Sequence, residues 1–237
     1  MMTRDEKIAE INKIYEAFRA EFTRKNYPQL FTAIDRYNQK LKFKKGHELG
    51  HFAILYTDVP EEPVKHVIVG DYPSWFDKNN FSNALQIVKN LEGGVPDYNS
   101  YQEDNHDFGC EIMQIFNDPD LKNYLSMSWT VGLNRFWIQQ FKKLGENLHP
   151  LAKRQLSELE RYCLNKTRKI IEIIDPEQVI LFGKAAHKVI SGSDFKFDYP
   201  KLAKMTSVKV ISPANRKKKG IDNTIEDLKD KLPKCPT

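Results

Sequence analysis

The chain has 237 residues, of which 40% are hydrophobic and 29% charged, and its formal net charge is +5. This length and composition are ordinary for a globular protein with a substantial core. No run approaches the ~20 apolar residues of a membrane span, and the first residues lack the apolar core of a secretory signal, so we expect a cytoplasmic protein that does not enter a membrane. The three cysteines are widely spaced and odd in number, which indicates a reducing compartment rather than a disulfide framework.

The N-terminal region, residues 3–45, is predicted to form two helices. Thr3 and Glu6 have the spacing of a capping box, and apolar residues recur after them at helical spacing. Pro28 disfavours helix at Tyr27 and therefore predicts a break between the two helices. We interpret residues 1–46 as a helical hairpin extension packed on a main domain of residues 47–237. A protein-interaction arm is the alternative for this hairpin.

The main domain is predicted to alternate strands and helices. Val179–Phe182 is a continuous apolar run, typical of a strand that is covered on both faces of a parallel sheet, and Gly183 ends it. In such sheets ligands usually bind at the carboxyl edge. The predicted strands are 51–57, 64–69, 126–131, 179–182 and 207–211, and the predicted helices are 81–91, 108–116, 136–144, 150–174, 184–190 and 221–232.

Polar segments follow several of these strands. Asp71 lies between Gly70 and Pro73 in a rigid turn, where it presents its carboxylate at the sheet edge or caps a helix. Asn134 lies at a strand–helix junction and has the same two interpretations. After strand 207–211 the chain turns at Ser212-Pro213 and continues into basic residues, which bind phosphates or form a solvated charged surface.

The long loop 92–107 is rich in turn formers, and loops of this length are usually functional or disordered. It contains Glu103, Asp104, His106 and Asp107, which we interpret as solvated loop residues rather than as a metal site. Cys110 is interpreted as a core residue. The chain has no GxGxxG or GxxxxGK[ST] sequence, so nothing supports dinucleotide or triphosphate binding.

Three segments stand in a fixed order at predicted strand ends: Gly70-Asp71-Tyr72-Pro73-Ser74, the turn at Gly183, and Ser212-Pro213-Ala214-Asn215-Arg216. This order resembles the uracil-DNA glycosylase superfamily, above all the branches whose first motif reads GEAPG or GxNPG and whose last reads HPS. Cys163 stands 13 residues before Pro176, as a cysteine does in the iron–sulfur branch. The likeness covers roughly residues 64–220. It implies a three-layer α/β/α fold with a central, mostly parallel sheet, to which the N-terminal helices would be an extension.

The resemblance also implies an activity: binding of DNA with low sequence specificity, flipping of a damaged or deaminated base, and its hydrolytic excision. Asp71 matches the glutamate of GEAPG, which positions water or stabilises the oxocarbenium-like sugar. Phe76 and Phe81 are candidates for stacking on the base, and Asn134 is the candidate for reading its edge. The residues implied to contact phosphates are Asn215, Arg216, Lys217, Lys218 and Lys219.

The chain also departs from the superfamily pattern. Ser212 stands where the last motif has the histidine that polarises the base carbonyl, and Tyr72, in the base pocket, occupies a slot that is aspartate or small in other branches. Trp75 follows where a glycine is common. Only Cys163 matches an iron–sulfur ligand, so we expect no cofactor. A catalytically altered or inactive nucleic-acid-binding protein is therefore an alternative, and a small-metabolite-binding α/β protein is another.

Overall fold

The computed structural model describes residues 2–41, 58–70, 107–121, 124–128, 148–183, 186–192, 198–210 and 220–232. The helices in these ranges are α1 (Arg4–Glu21), α2 (Pro28–Leu41), α3 (Asp107–Phe116), α4 (Pro150–Ile174) and α5 (Gly220–Lys231). The strands are β1 (His66–Gly70), β2 (Tyr124–Ser128), β3 (Gln178–Phe182) and β4 (Thr206–Val210). Three short 3-10 helices complete them: η1 (Pro119–Leu121), η2 (Ala186–Ile190) and η3 (Leu202–Lys204).

The N-terminal helices begin where local signals predict. The hydroxyl of Thr3 accepts the N–H of Glu6 at 3.2 Å, and the Thr3 N–H donates to the Glu6 carboxylate at 2.7 Å, so the predicted capping box is confirmed. The predicted break is also confirmed, because α1 ends at Glu21 and α2 begins at Pro28. The predicted domain boundary between residues 46 and 47 lies outside the described residues.

The four strands form one parallel sheet in the order β2-β1-β3-β4. At its start, His66 lies opposite both Tyr124 and Gln178, and at its end Phe182 lies opposite Val210. Because the strands all run in one direction, their carboxyl ends lie at a single edge. The predicted α/β class is therefore confirmed.

Alternate residues of the strands contribute to two separate apolar clusters. Val67, Val69, Val179 and Leu181 belong to the first cluster, together with apolar residues of α1, α2 and α4. The second contains the alternate strand residues with residues of α3 and α5, and its strand members are Ile68, Ile180, Phe182, Val208 and Val210. Every residue of β3 is buried, so the predicted coverage of this strand on both faces is confirmed.

The first cluster also explains how α1 and α2 are held. Ile11 and Ile14 of α1 and Leu30 and Ile34 of α2 are buried in it with residues of α4. The backbone N–H of Leu30 donates to the side-chain oxygen of Gln155 on α4 at 2.8 Å. These apolar residues of both helices are thus covered by the chain itself.

The long helix α4 has the predicted bounds, Pro150 to Ile174. His149 caps its first turn by accepting the N–H of Leu151 at 3.3 Å, and Pro150 is tolerated at the first helical position. The helix ends at Asp175, which adopts the left-handed conformation with φ 58°. Pro176 follows and cannot continue the helix.

The other predicted elements differ more. Helix 108–116 is observed as α3, which begins one residue earlier, and helix 221–232 is observed as α5, shifted by one residue. Of the predicted helix 184–190, residues 186–190 form the 3-10 helix η2, and residues 184–185 lie outside the described residues. The carbonyls of Lys188 and Val189 in η2 accept hydrogen bonds from Arg168 of α4. The predicted elements 51–57, 81–91 and 136–144 lie outside the described residues, and within the described ranges no helix is long and apolar enough to cross a membrane.

Candidate functional site

The carboxyl edge of the sheet is where the predicted site would lie. Gly70 of β1 is opposite Ser128 of β2, and Phe182 of β3 is opposite Val210 of β4. Val69 pairs with Leu181, so all four strands end at one level. The N–H of Gly183 donates to the carbonyl of Val210 at 3.0 Å, and this bond ties the ends of β3 and β4 together. Gly183 has φ 87°, in the left-handed region that favours glycine.

The predicted site residues follow these strand ends. Asp71 comes directly after Gly70, and Ser212 comes two residues after Val210. The described residues therefore give the points from which the predicted motifs depart. The predicted site residues themselves lie outside the described ranges: Asp71, Tyr72, Phe76, Phe81, Asn134, Ser212, Asn215, Arg216, Lys217, Lys218 and Lys219.

A buried arginine of α4 binds η2, the 3-10 helix that follows β3 in the chain. Arg168 on α4 is only 7% exposed. Its Nε donates to the carbonyl of Val189 at 2.8 Å, and its Nη2 donates to the carbonyls of Lys188, at 2.9 Å, and Ser191. Nη1 donates to the Asn165 side chain at 3.1 Å. One guanidinium therefore binds three backbone carbonyls at the end of η2.

Two further contacts surround the same guanidinium. Its central carbon lies 5.5 Å from the centroid of the Tyr199 ring, in a cation–π arrangement. A Cβ on Gly192, which has φ 130°, would lie 3.6 Å from Nη2 of Arg168. Burial lowers the pKa of Arg168, opposed by Tyr199 and Asp198, and arginine remains charged in proteins in any case. The charge is thus stabilised by backbone carbonyls and an aromatic ring.

A second group of buried polar side chains lies at the opposite, amino edge. His66 and Gln178, which are 1% and 4% exposed, face each other across β1 and β3. Among the described residues, neither ring nitrogen of His66 has a hydrogen-bond partner, and neither does Oε1 of Gln178. Burial, reinforced by the charge of Lys65, lowers the pKa of His66 to about 4, although the Gln178 side chain opposes the shift. His66 is therefore neutral at pH 7.

Arg168, His66 and Gln178 were not predicted to be buried polar residues. Arg168 follows Thr167 in a buried stretch of α4, and its charge argued for the exposed face. His66 is in phase with Ile68 in the predicted strand, which was the available signal that its ring points inward. The signal for Gln178 was weaker, since it precedes the predicted start of its strand.

Cysteine, histidine and acidic side chains are the groups that could bind a metal ion or an iron–sulfur cluster. Cys163 is fully buried in the first apolar cluster, and Cys110 is half-buried. No three His, Cys, Asp or Glu side chains come together in the described part of the chain. The loop residues Glu103, Asp104 and His106 lie outside it.

Comparisons with models of protein families, with curated proteins and with solved structures found no match to this chain.

Proposed function

We propose that this chain is a uracil-DNA-glycosylase-like protein, which binds DNA, flips out a damaged or deaminated base and excises it by hydrolysis. The proposed architecture is a three-layer α/β/α domain with α1 and α2 as an N-terminal extension. The observation that carries the proposal is the alignment of the carboxyl ends of β1, β3 and β4 at one edge of a parallel sheet. The three motifs of the resemblance depart from these ends in the superfamily's order.

The spacing of the strands supports this assignment. Neighbouring strands lie about 4.8 Å apart, and β3 is the only strand between β1 and β4 in the sheet, so Gly70 and Val210 are separated by about 10 Å. A flipped base must be contacted from several sides in one pocket. Asp71 and Ser212 depart from points that suit opposite sides of such a pocket.

The proposed reaction breaks the bond between the base nitrogen and C1′ of the sugar. The base leaves with the electron pair, a water oxygen bonds to C1′, and the proton lost by the water balances the charge of the departing base. Asp71 would orient the water, accept its proton and stabilise the developing positive charge on the sugar. Ser212 would donate a hydrogen bond to the base carbonyl, in place of the superfamily's histidine.

The remaining predicted residues would bind the substrate. In the proposed pocket Tyr72, Phe76 and Phe81 line and stack on the base, and Asn134 reads its edge. The basic segment that follows Ser212 would bind phosphates without reading sequence.

A nucleic-acid-binding protein with altered or lost catalysis is the second candidate. The observation that favours it is Ser212 itself, because a neutral hydroxyl activates a leaving base less than a histidine does. The same edge and the same basic segment would then serve binding alone.

The first experiment measures excision on single- and double-stranded oligonucleotides that each carry one deaminated base. We expect Asp71→Asn to reduce the rate by about two orders of magnitude or more while leaving DNA affinity within about twofold. Asp230→Asn, which makes the same change at an exposed position of α5, serves as the matched control. Equal rates for wild type and Asp71→Asn would reject the catalytic assignment. Binding without excision by the wild type would instead favour the second candidate.

The second experiment measures DNA affinity against salt concentration. Each phosphate contact contributes about 0.9 to the slope of log affinity against log salt, so alanine at Lys217, Lys218 and Lys219 should lower the slope by up to about 3. The matched control replaces three exposed lysines elsewhere, Lys153, Lys169 and Lys204. No binding by the wild type at low salt would contradict both candidate functions.

A further inference from the structure

We propose that Arg168 is a positioning residue of the candidate site, which holds η2 against α4 and thereby fixes the ends of β3 and β4. The contacts of Arg168 are observed whatever the function of the site, whereas the effect of Arg168 on a reaction rests on the proposed function. Arg168 acts on the site through the backbone and is not proposed to touch the substrate.

Arg168 attaches η2 to α4. The carbonyls of Lys188, Val189 and Ser191 converge on one guanidinium. The guanidinium is planar and its donors have fixed directions, so binding three carbonyls at once fixes the orientation of η2 as well as its distance from α4. An ion pair between Lys188 and Glu160 of α4 adds a second, more exposed attachment.

A short connection joins η2 to the edge of the sheet. Two residues separate Gly183 from Ala186, where η2 begins, so the Cα atoms of these two residues lie at most about 11 Å apart. The N–H of Gly183 is bonded to the carbonyl of Val210. A displacement of η2 is therefore transmitted to Gly183 and to the end of β4, two residues before Ser212.

Lysine cannot replace the guanidinium. An ammonium group is a single point of charge on a flexible stem, whereas the three carbonyls require donors spread over a rigid fork. Arg168→Lys therefore keeps the charge and loses the geometry.

The experiment compares Arg168→Lys in the full chain with Arg161→Lys, the same substitution at an exposed position of α4. Amide hydrogen exchange is measured well below the unfolding temperature of each variant. We expect exchange in residues 186–192, at Gly183 and in β4 to accelerate about tenfold or more in Arg168→Lys, with α3 and α1 unchanged. Arg161→Lys should exchange like the wild type. Exchange at Gly183 and in β4 that equals the wild-type rate would overturn the proposal.

Steady-state kinetics on the fully folded variants separates positioning from simple structural support. A misplaced site lowers the rate of the reacting complex, so we expect kcat to fall about tenfold or more while KM for DNA changes less than about threefold. Faster exchange with unchanged kcat and KM would also overturn the proposal, because Arg168 would then support the fold only.

The two proposals fail in different ways. If the wild type does not excise any base, the proposed function fails, and the exchange at Gly183 and in β4 alone decides whether Arg168 controls the edge. If Arg168→Lys does not fold, Gly192→Ala strains the backbone at φ 130°, directly beside the Ser191 carbonyl that Arg168 binds, and is expected to give the same exchange pattern. A wild-type pattern in Gly192→Ala would then contradict the proposal.

Discussion

The buried polar side chains on α4 and those at the amino edge of the sheet differ in how their hydrogen bonds are satisfied. On α4, Arg168 is a buried cation whose donors meet carbonyls and the Asn165 amide oxygen. At the amino edge His66 and Gln178 are buried with three polar atoms that, among the described residues, have no hydrogen-bond partner. The first group binds the backbone of η2, which follows β3 in the chain, and the second group lies at the first residues of β1 and β3.

The difference concerns free energy as much as location. A satisfied charged group stabilises the carbonyls that it binds, and removing it leaves them unpaired. An unsatisfied neutral group has already lost its hydrogen bonds to water, so its removal relieves that loss. Substitutions in the two groups should therefore have opposite effects on the free energy of unfolding.

The largest effect is expected for Arg168→Met, which keeps much of the side-chain volume and removes every donor. Three carbonyls, one of them in a fully buried hydrogen bond, lose a charged donor, so we expect the free energy of unfolding to fall by about 3 kcal/mol. Urea denaturation of the full chain measures it. Lys169→Met, which removes a charge from the neighbouring exposed position, should change stability by less than about 0.5 kcal/mol. A loss of similar size in both variants would contradict the special role of Arg168.

The next effect is a pH dependence at the amino edge. Burial lowers the pKa of His66 to about 4, whereas the unfolded chain binds the proton near pH 6.5. The unfolded state therefore binds more protons between these values, and the stability that neutral His66 retains above pH 6.5 is lost as the pH falls towards 4. Between pH 7.5 and pH 5 we expect a loss of about 1–2 kcal/mol from this residue, allowing for relaxation around the charged ring.

His66→Leu isolates this contribution, because the difference between wild type and variant cancels the other titrating groups. The wild type should lose 1–2 kcal/mol more than the variant over this range, by denaturation at each pH. Parallel curves for wild type and His66→Leu would show that the ring is accessible to protons in the folded state.

Local signals account for much of what could be predicted. The bounds of α4 follow from Pro150 at one end and Asp175-Pro176 at the other, and the start of α1 follows from Thr3 and Glu6, because these residues act on their own neighbours. The buried strand β3 follows from four consecutive apolar residues. Each of these features is decided within a few residues of sequence.

What could not be predicted depends on contacts between distant residues. The side-chain hydrogen bonds that hold η2 come from Arg168, which lies 20 to 23 residues before the carbonyls that it binds. The position of β1 between β2 and β3 depends on contacts across the whole sheet. The order of the motifs along the chain could therefore be predicted, whereas the distances between them at the sheet edge could not. The structure gives the spacing of the strand ends, and the roles of the motif residues stay predictions.

The smallest effects should come from two buried threonines, which repeat the contrast without any charge. Thr167 on α4 and Thr224 on α5 are both fully buried. The hydroxyl of Thr224 donates to the carbonyl of Gly220 at 2.6 Å, whereas that of Thr167 has no hydrogen-bond partner among the described residues. Valine has nearly the same shape and helix propensity as threonine, so the substitution to valine changes mainly the hydroxyl.

Thr224→Val should therefore lower the free energy of unfolding by about 1 kcal/mol, because a satisfied hydrogen bond is lost. Thr167→Val should raise it by up to about 1 kcal/mol, because an unpaired hydroxyl is removed from an apolar cluster. Both changes are measured by urea denaturation of the full chain, and each variant controls for the other. Equal destabilisation by the two valines would mean that the Thr167 hydroxyl is bonded in the folded protein, which would remove it from the set of unsatisfied groups that distinguishes His66 and Gln178 from Arg168.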